Sequence, residues 1–163
     1  MKVDKSSLLL YAVTERSWLK NRTLHDAVEE ALKAGVTFLQ LREKNLDYDS
    51  FLQLAIEIKK IADKYNVPFV INDNVDVAIA CGADGVHVGQ EDMDAKEVRK
   101  IIGPDKILGV SAETVEQAIR AEQSGADYLG VGAVFPSPTK LDAEVVSFET
   151  LKEICKTVSI PVV

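Results

Sequence analysis

The stretch Cys81–Gly89, "CGADGVHVG", joins a helix end, a glycine and a short apolar strand. Two other stretches share that layout: "AGVTFLQL" at 34–41 and "SGADYLGVG" at 124–132. Their glycines, Gly35, Gly82 and Gly125, are 47 and then 43 positions apart (35 to 82 to 125). Each interval holds two strand–helix units, so one unit takes about 22 residues, which is compact for β/α architecture. Each glycine follows a helical pattern, at the position where a helix commonly ends in a left-handed residue.

Outward from these three stretches, short apolar runs alternate with longer helical patterns. The expected strands are "LLLYAV" (8–13), "TFLQLR" (37–42), "PFVIN" (68–72), "GVHVG" (85–89), "KILGVS" (106–111), "YLGVG" (128–132) and "IPVV" (160–163). Helical patterns lie near 24–34, 49–65, 74–81, 94–102, 114–124 and 147–157. Thr23, Thr114 and Ser147 stand where helix N-caps belong. Strands alternating with helices imply a parallel sheet. Seven such units match most of a TIM (β/α)8 barrel, here incomplete, with about seven strands and six helices. No G-x-G-x-x-G follows the first strand, which argues against a dinucleotide-binding sheet. No Pro/Ser-rich linker divides the chain, so residues 1–163 are expected to form a single barrel domain lacking its C-terminal β/α units. Open strand edges favour pairing with another chain. The expectation is therefore a piece of a longer protein, or a barrel completed by a homo-oligomer or another chain.

Composition narrows the function. The chain has 163 residues, 47% apolar and 28% charged, and carries 26 acidic against 19 basic side chains for a net charge of −7. Such an acidic balance argues against a general nucleic-acid or anionic-membrane surface, though not against a local cationic pocket. No apolar run approaches the roughly 20 residues of a membrane span. The amino terminus lacks the long apolar region of a signal peptide, so a cytoplasmic protein is expected. Cys81 and Cys155 are far apart and form no ligand or redox motif, which fits reduced thiols.

In a TIM barrel the chemistry gathers at the carboxyl ends of the strands. After the second strand come Gln40, Arg42 and Lys44, whose period of two puts them on one face, opposite Leu39 and Leu41. Arg42 offers a planar fork for phosphate oxygens and Lys44 a point charge; the alternative is a structural ion pair with Glu43 or a neighbour. Asn72 and Asp73 follow the third strand; Gln90, Glu91 and Asp92 follow the fourth. Adjacent strands run about 4.8 Å apart, so Asp73 and Asp92 can approach one point and suit Mg²⁺. Either aspartate alone could instead cap a helix. Ser111 ends the fifth strand, as a donor to substrate or a turn serine. The loop "AVFPSPTKLDAEVV" after the sixth strand is long enough to be functional and carries Ser137, Pro138, Thr139 and Lys140. His87 lies inside a strand, where a lone histidine is more often a hydrogen-bonded core residue than a catalyst. No serine or cysteine stands at motif spacing from a histidine, so a hydrolase triad has no support. Cations, a carboxylate pair and no evident nucleophile suit a reaction whose difficulty is the departure of a diphosphate.

The elements "QLREK", "INDNVDVA", "GADGVHVGQED", "GVSAET", "GADYLGVGAVFPSPTK" and "IPVV" resemble, in order and spacing, those of the thiamine-phosphate synthase family. The resemblance spans nearly the whole chain. It implies condensation of a hydroxymethylpyrimidine diphosphate with a thiazole phosphate, giving thiamine phosphate and pyrophosphate. It further implies that Gln40, Arg42, Lys44, Asn72, Ser111 and Lys140 hold the pyrimidine diphosphate. Asp73 and Asp92 would bind Mg²⁺, and Ser137, Pro138 and Thr139 would meet the thiazole phosphate. The implied mechanism is dissociative: pyrophosphate leaves, a pyrimidine carbocation forms, and the thiazole nitrogen captures it. Two departures stand out: Ser137 replaces a common threonine, and Glu113 replaces a common histidine. The second argues against the related thiazole tautomerase, which leans on that histidine. Beyond "PVV" the family continues into a glycine-rich turn and an eighth strand that bind the thiazole phosphate. The non-enzymatic alternative is thus a barrel fragment that binds diphosphate without turnover.

Overall fold

Two positions after each repeated glycine stands a polar residue, Thr37, Asp84 or Asp127, and in the computed structural model all three do the same thing. Thr37 N–H donates to the carbonyl of Leu10 (2.9 Å), and Leu10 N–H donates back to Thr37 Oγ1 (2.9 Å). Asp84 exchanges the same two bonds with Phe69 (2.9 and 2.9 Å), and Asp127 with Leu108 (2.7 and 2.8 Å). Each clamp pins one strand to the strand before it at the amino edge of the sheet, which fixes register. The repeat therefore encodes strand pairing.

The structure describes residues 3–135 and 145–163. Among these, six parallel strands form one sheet in the order β1 to β6: Tyr11–Val13, Phe38–Leu41, Phe69–Asn72, Gly85–Val88, Ile107–Ala112 and Tyr128–Val131. Six α-helices connect or follow them: α1 Leu24–Lys33, α2 Tyr48–Lys64, α3 Val75–Ala80, α4 Ala95–Ile102, α5 Val115–Gln123 and α6 Phe148–Thr157. Thr23, Thr114 and Ser147 each accept a backbone N–H three residues on, as their positions predict, and Thr114 forms a full capping box with Gln117. Gly35, Gly82 and Gly125 take φ of 103°, 69° and 90°, which other residues adopt only with strain.

Two expected elements differ. Residues 8–10 continue from a 3₁₀ turn, Lys5–Leu8, rather than opening β1, because the Asp4 carboxylate caps the Ser6 N–H. An apolar run alone does not separate a strand from another buried segment. The expected seventh strand at 160–163 is a single bridge, Leu129 to Val162, held to β6 by Leu129 N–H to Pro161 O and Val163 N–H to Leu129 O, both 2.9 Å. Pro161 has no N–H to give a ladder.

Flat, β1 and β6 would stand about 24 Å apart. Yet the hydroxyls of Tyr11 on β1 and Tyr128 on β6 are 2.6 Å apart, so the sheet curls into a half-barrel. Its convex side buries Leu39, Leu41, Ile71, Val86, Leu108 and Leu129 against the helices. Its concave side holds Leu8, Phe38, Val70, Ile107 and Tyr128 as an apolar plug. No helix among the described residues is long and apolar enough to cross a membrane.

Candidate active site

Above the plug the inward positions turn polar. Phe38 is followed by Gln40 and Arg42, Val70 by Asn72, and Ile107 by Gly109 and Ser111. Gln40, Asn72 and His87 are each less than 9% exposed. With Tyr11, Arg42 and Ser111 they line a cavity of about 420 Å³ at the carboxyl ends of the strands. Leu39 and Leu41 pack on the helices, so the period of two separates core from site as expected.

Arg42 does not pair with Glu43. Its Nη1 donates to Glu15 Oε2 at 3.0 Å, and Glu43 instead receives Arg16 Nε at 2.8 Å. Glu15, just after β1, is held below the usual carboxylate range by the Ser17 backbone N–H, with Arg42's charge adding to it. Lys44 lies outside the cavity wall and donates to Asp73 Oδ2 at 2.5 Å. The two aspartates are not helix caps: Asn74 caps α3 and Asp94 caps α4. Asp73 instead sits at a positive φ of 64° while its N–H donates to His87 O at 2.8 Å, and Asp92 Oδ2 accepts Gly89 N–H at 2.7 Å. Burial and a hydrogen bond with the Asp73 carboxyl raise the pKa of Asp92, and the Asp73 charge adds to this. Two carboxyls meeting at adjacent strand ends are a place where a cation is favoured.

A second set of groups runs beneath the mouth. Gln40 Nε2 donates to Tyr11 Oη (2.6 Å), Tyr11 meets Tyr128 Oη (2.6 Å), Tyr128 meets His87 Nδ1 (3.0 Å), and His87 Nε2 meets Ser111 Oγ (2.9 Å). Burial pushes the Tyr11 hydroxyl up to about 12 and Tyr128 well above its ordinary value. Glycines leave the room for these rings. A Cβ at Gly109 would lie 2.2 Å from Tyr128 Cζ and 2.5 Å from His87 Nδ1; one at Gly130 would lie 3.0 Å from His87 Cε1.

Of the residues expected in the site, Gln40, Arg42, Asn72 and Ser111 line this cavity; Lys44, Asp73 and Asp92 do not, Lys44 pairing with Asp73 while Asp92 lines a separate, smaller cavity with Gly89 and Gln90. Sequence reasoning missed Tyr11, Glu15 and Tyr128. His87 is the buried, hydrogen-bonded residue expected, and it also faces the cavity. The signal for all four was position: inward places on β1, β4 and β6, or the loop after β1. Glu113 donates its N–H to Gln117 Oε1 (2.7 Å) at the start of α5. Ser137, Pro138, Thr139 and Lys140 lie outside the described residues.

The sequence profile of a family described as thiamine monophosphate synthase matches residues 10–163. A thiamine-phosphate synthase of Clostridium tetani is 57% identical over 154 residues, 94% of this chain and 74% of the relative. Another, from Ruminiclostridium cellulolyticum, is 57% identical over 160 residues, 98% of this chain and 76% of the relative. Among solved structures, a thiamine phosphate pyrophosphorylase from Pyrococcus furiosus superposes with a TM-score of 0.86 at 40% identity. It covers 96% of this chain and 73% of its own.

Proposed function

The chain belongs to the thiamine monophosphate synthase family, transferases of thiamine biosynthesis that form thiamine phosphate, and we propose how its cavity performs that reaction. Gln40, Arg42, Asn72 and Ser111 hold the pyrimidine diphosphate in the mouth, with Lys44 at the rim and Lys140 from the loop. Ser137, Pro138 and Thr139 meet the thiazole phosphate. The observation that carries this reading is the cavity itself: a guanidinium and five further polar side chains converge above an apolar plug. Arg42 has five N–H donors, and Glu15 occupies one of them.

Asp73 and Asp92 suit Mg²⁺ by donor type, two hard carboxylates side by side. Among the described residues no group of three or more His, Cys, Asp or Glu could hold a metal, so the remaining ligands would be phosphate oxygens and water. Held by Asp73 and Asp92, Mg²⁺ would supply charge neutralisation for the departing diphosphate. Lys44, bonded to Asp73, keeps a cation at the same edge. The reaction is dissociative: the bond from the pyrimidine methylene to the diphosphate oxygen breaks, and its electron pair leaves with pyrophosphate. The thiazole nitrogen then captures the carbocation. The dry wall around Tyr11 and Gln40 orients the pyrimidine and keeps competing water out.

We further place the half-barrel in a single TIM (β/α)8 domain acting in the cytoplasm on small phosphorylated substrates. Its net charge of −7 argues against nucleic acid or an anionic membrane surface as a partner, and self-association is the expected assembly. The curl of the sheet and the likeness to the Pyrococcus furiosus fold support the barrel.

The test is direct. With pyrimidine diphosphate, thiazole phosphate and Mg²⁺, the chain should form thiamine phosphate, and Asp92→Asn should raise the Mg²⁺ concentration needed for half-maximal rate about tenfold. No product from a folded chain extended to the relatives' full length sinks the synthase reading, and silence of this chain alone leaves the diphosphate-binding fragment; an unchanged Mg²⁺ requirement sinks the role of Asp92.

A further inference from the structure

The five groups beneath the mouth form a chain with a direction. A phenol has one proton, and a neutral imidazole has one donor and one acceptor nitrogen. Gln40 is the member whose role its atom fixes, because an amide nitrogen only donates. Tyr11, receiving that bond, has its own proton to give Tyr128, its other hydroxyl partner. In that direction Tyr128 gives its proton to His87 Nδ1, which would put the imidazole proton on Nε2, facing Ser111 Oγ. The hydroxyl of Ser111, already accepting, keeps its own proton for something else. Ser111 lines the cavity, and its backbone is fixed by Gln90 Nε2 on its carbonyl at 2.6 Å.

We propose that Gln40, acting through Tyr11, Tyr128 and His87, polarises this chain so that Ser111 faces the cavity as a hydrogen-bond donor. Its partner is an acceptor atom of the bound pyrimidine diphosphate. This deepens the reading of the cavity as the pyrimidine diphosphate site and rests on it. His87, Tyr11 and Tyr128 are then positioning residues: they do no chemistry, and they decide which way one hydroxyl points. The geometry around them is built for this. Glycine at 109 and 130 leaves the two rings their contact, and Tyr128 is fully buried, so the middle of the chain is shielded from water. A shielded chain holds its polarity, since water offers no competing donor or acceptor.

The chain has two histidines, so long-range proton–nitrogen NMR of the imidazoles reads the tautomer directly, with a His25→Gln variant to assign His87. In the unmodified protein His87 should carry its proton on Nε2 and have a bare Nδ1; a proton on Nδ1 overturns the proposal without any variant. Gln40→Glu replaces the donor with a carboxylate that only accepts, which should reverse the chain and put a proton on Nδ1. An Nδ1 still bare in that variant overturns it as well. Turnover supplies the third measurement. Tyr128→Phe should lower kcat/KM about fivefold, the worth of one neutral hydrogen bond, and Ser111→Ala with Tyr128→Phe should be no worse than Ser111→Ala alone. Fully additive losses overturn the coupling. Absence of thiamine phosphate from the unmodified chain would count for the diphosphate-binding fragment over turnover by this chain, while the tautomer still decides the polarity.

Discussion

Arg99 and Arg42 sit at opposite edges of the same sheet, and their side chains are almost equally exposed, 19% and 24%. Each faces one carboxylate. At the amino edge Arg99 donates to Asp127 (2.6 Å), to the carbonyls of Gly103 (2.8 Å) and Lys106 (2.7 Å), and twice to Gly125 O. At the carboxyl edge the Arg42 guanidinium makes one bond among the described residues, to Glu15. Exposure does not separate the two roles; the number of donors already engaged does. A guanidinium saturated by backbone carbonyls is a structural part, because nothing can bind it without breaking a loop. One held by a single carboxylate is oriented and still has donors to offer a phosphate.

That contrast can be broken by stability measurements. Arg99→Ala leaves the Asp127 carboxylate short of a partner and three carbonyls unanswered at the start of β5 and β6. A loss of about 3 kcal/mol is expected by urea denaturation, because several charge-assisted hydrogen bonds to backbone carbonyls are lost at once. A loss under about 1 kcal/mol would put Arg99 in the same class as Arg42. Thr37→Val tests the same edge more gently. It keeps the shape but leaves the Leu10 N–H without its side-chain acceptor. About 1 kcal/mol is expected, because Thr37 is the neutral version of the clamp that Asp84 and Asp127 make with carboxylates. A neutral result would mean that the repeat is only a sequence pattern at β1.

Much of the amino edge was legible because its signals are local. A glycine after a helical pattern, a polar residue two positions on and an alternating strand lie within nine residues, and they are enough for the helix ends and the strand order. The placement of Gln40 and Arg42 opposite Leu39 and Leu41 follows from period two alone. What could not be read is whatever depends on curvature. Tyr11 and Tyr128 are 117 positions apart and meet only because the sheet curls. Glu15 reaches Arg42 across 27 positions from a loop whose course no periodicity encodes. Asp73 and Asp92 looked like candidate caps because Asn74 and Asp94, one and two residues on, carry equally good capping side chains; backbone geometry chose the latter. Leu8 to Leu10 read as strand because a short apolar run has no period to distinguish it, and in the fold only Leu8 of the three is buried.

The smallest expected change in stability is the sharpest test of the contrast. Arg42→Ala removes a partly exposed pair with Glu15, and pairs of that kind contribute about 1 kcal/mol or less. Glu15 keeps the Ser17 N–H, so its carboxylate is not stranded. Stability should therefore fall by no more than about 0.5–1 kcal/mol, far less than for Arg99→Ala. Binding should respond in the opposite order. A charge-assisted contact to phosphate contributes roughly 1.5–3 kcal/mol, so Arg42→Ala should weaken pyrimidine diphosphate binding by about 10- to 150-fold. The control is Lys100→Ala on α4, which removes a cation paired with the exposed Glu97. Calorimetric titration of both variants decides the matter. If Arg42→Ala binds as well as Lys100→Ala and is as unstable as Arg99→Ala, Arg42 is a second structural arginine, and the donors left open beside Glu15 serve no ligand.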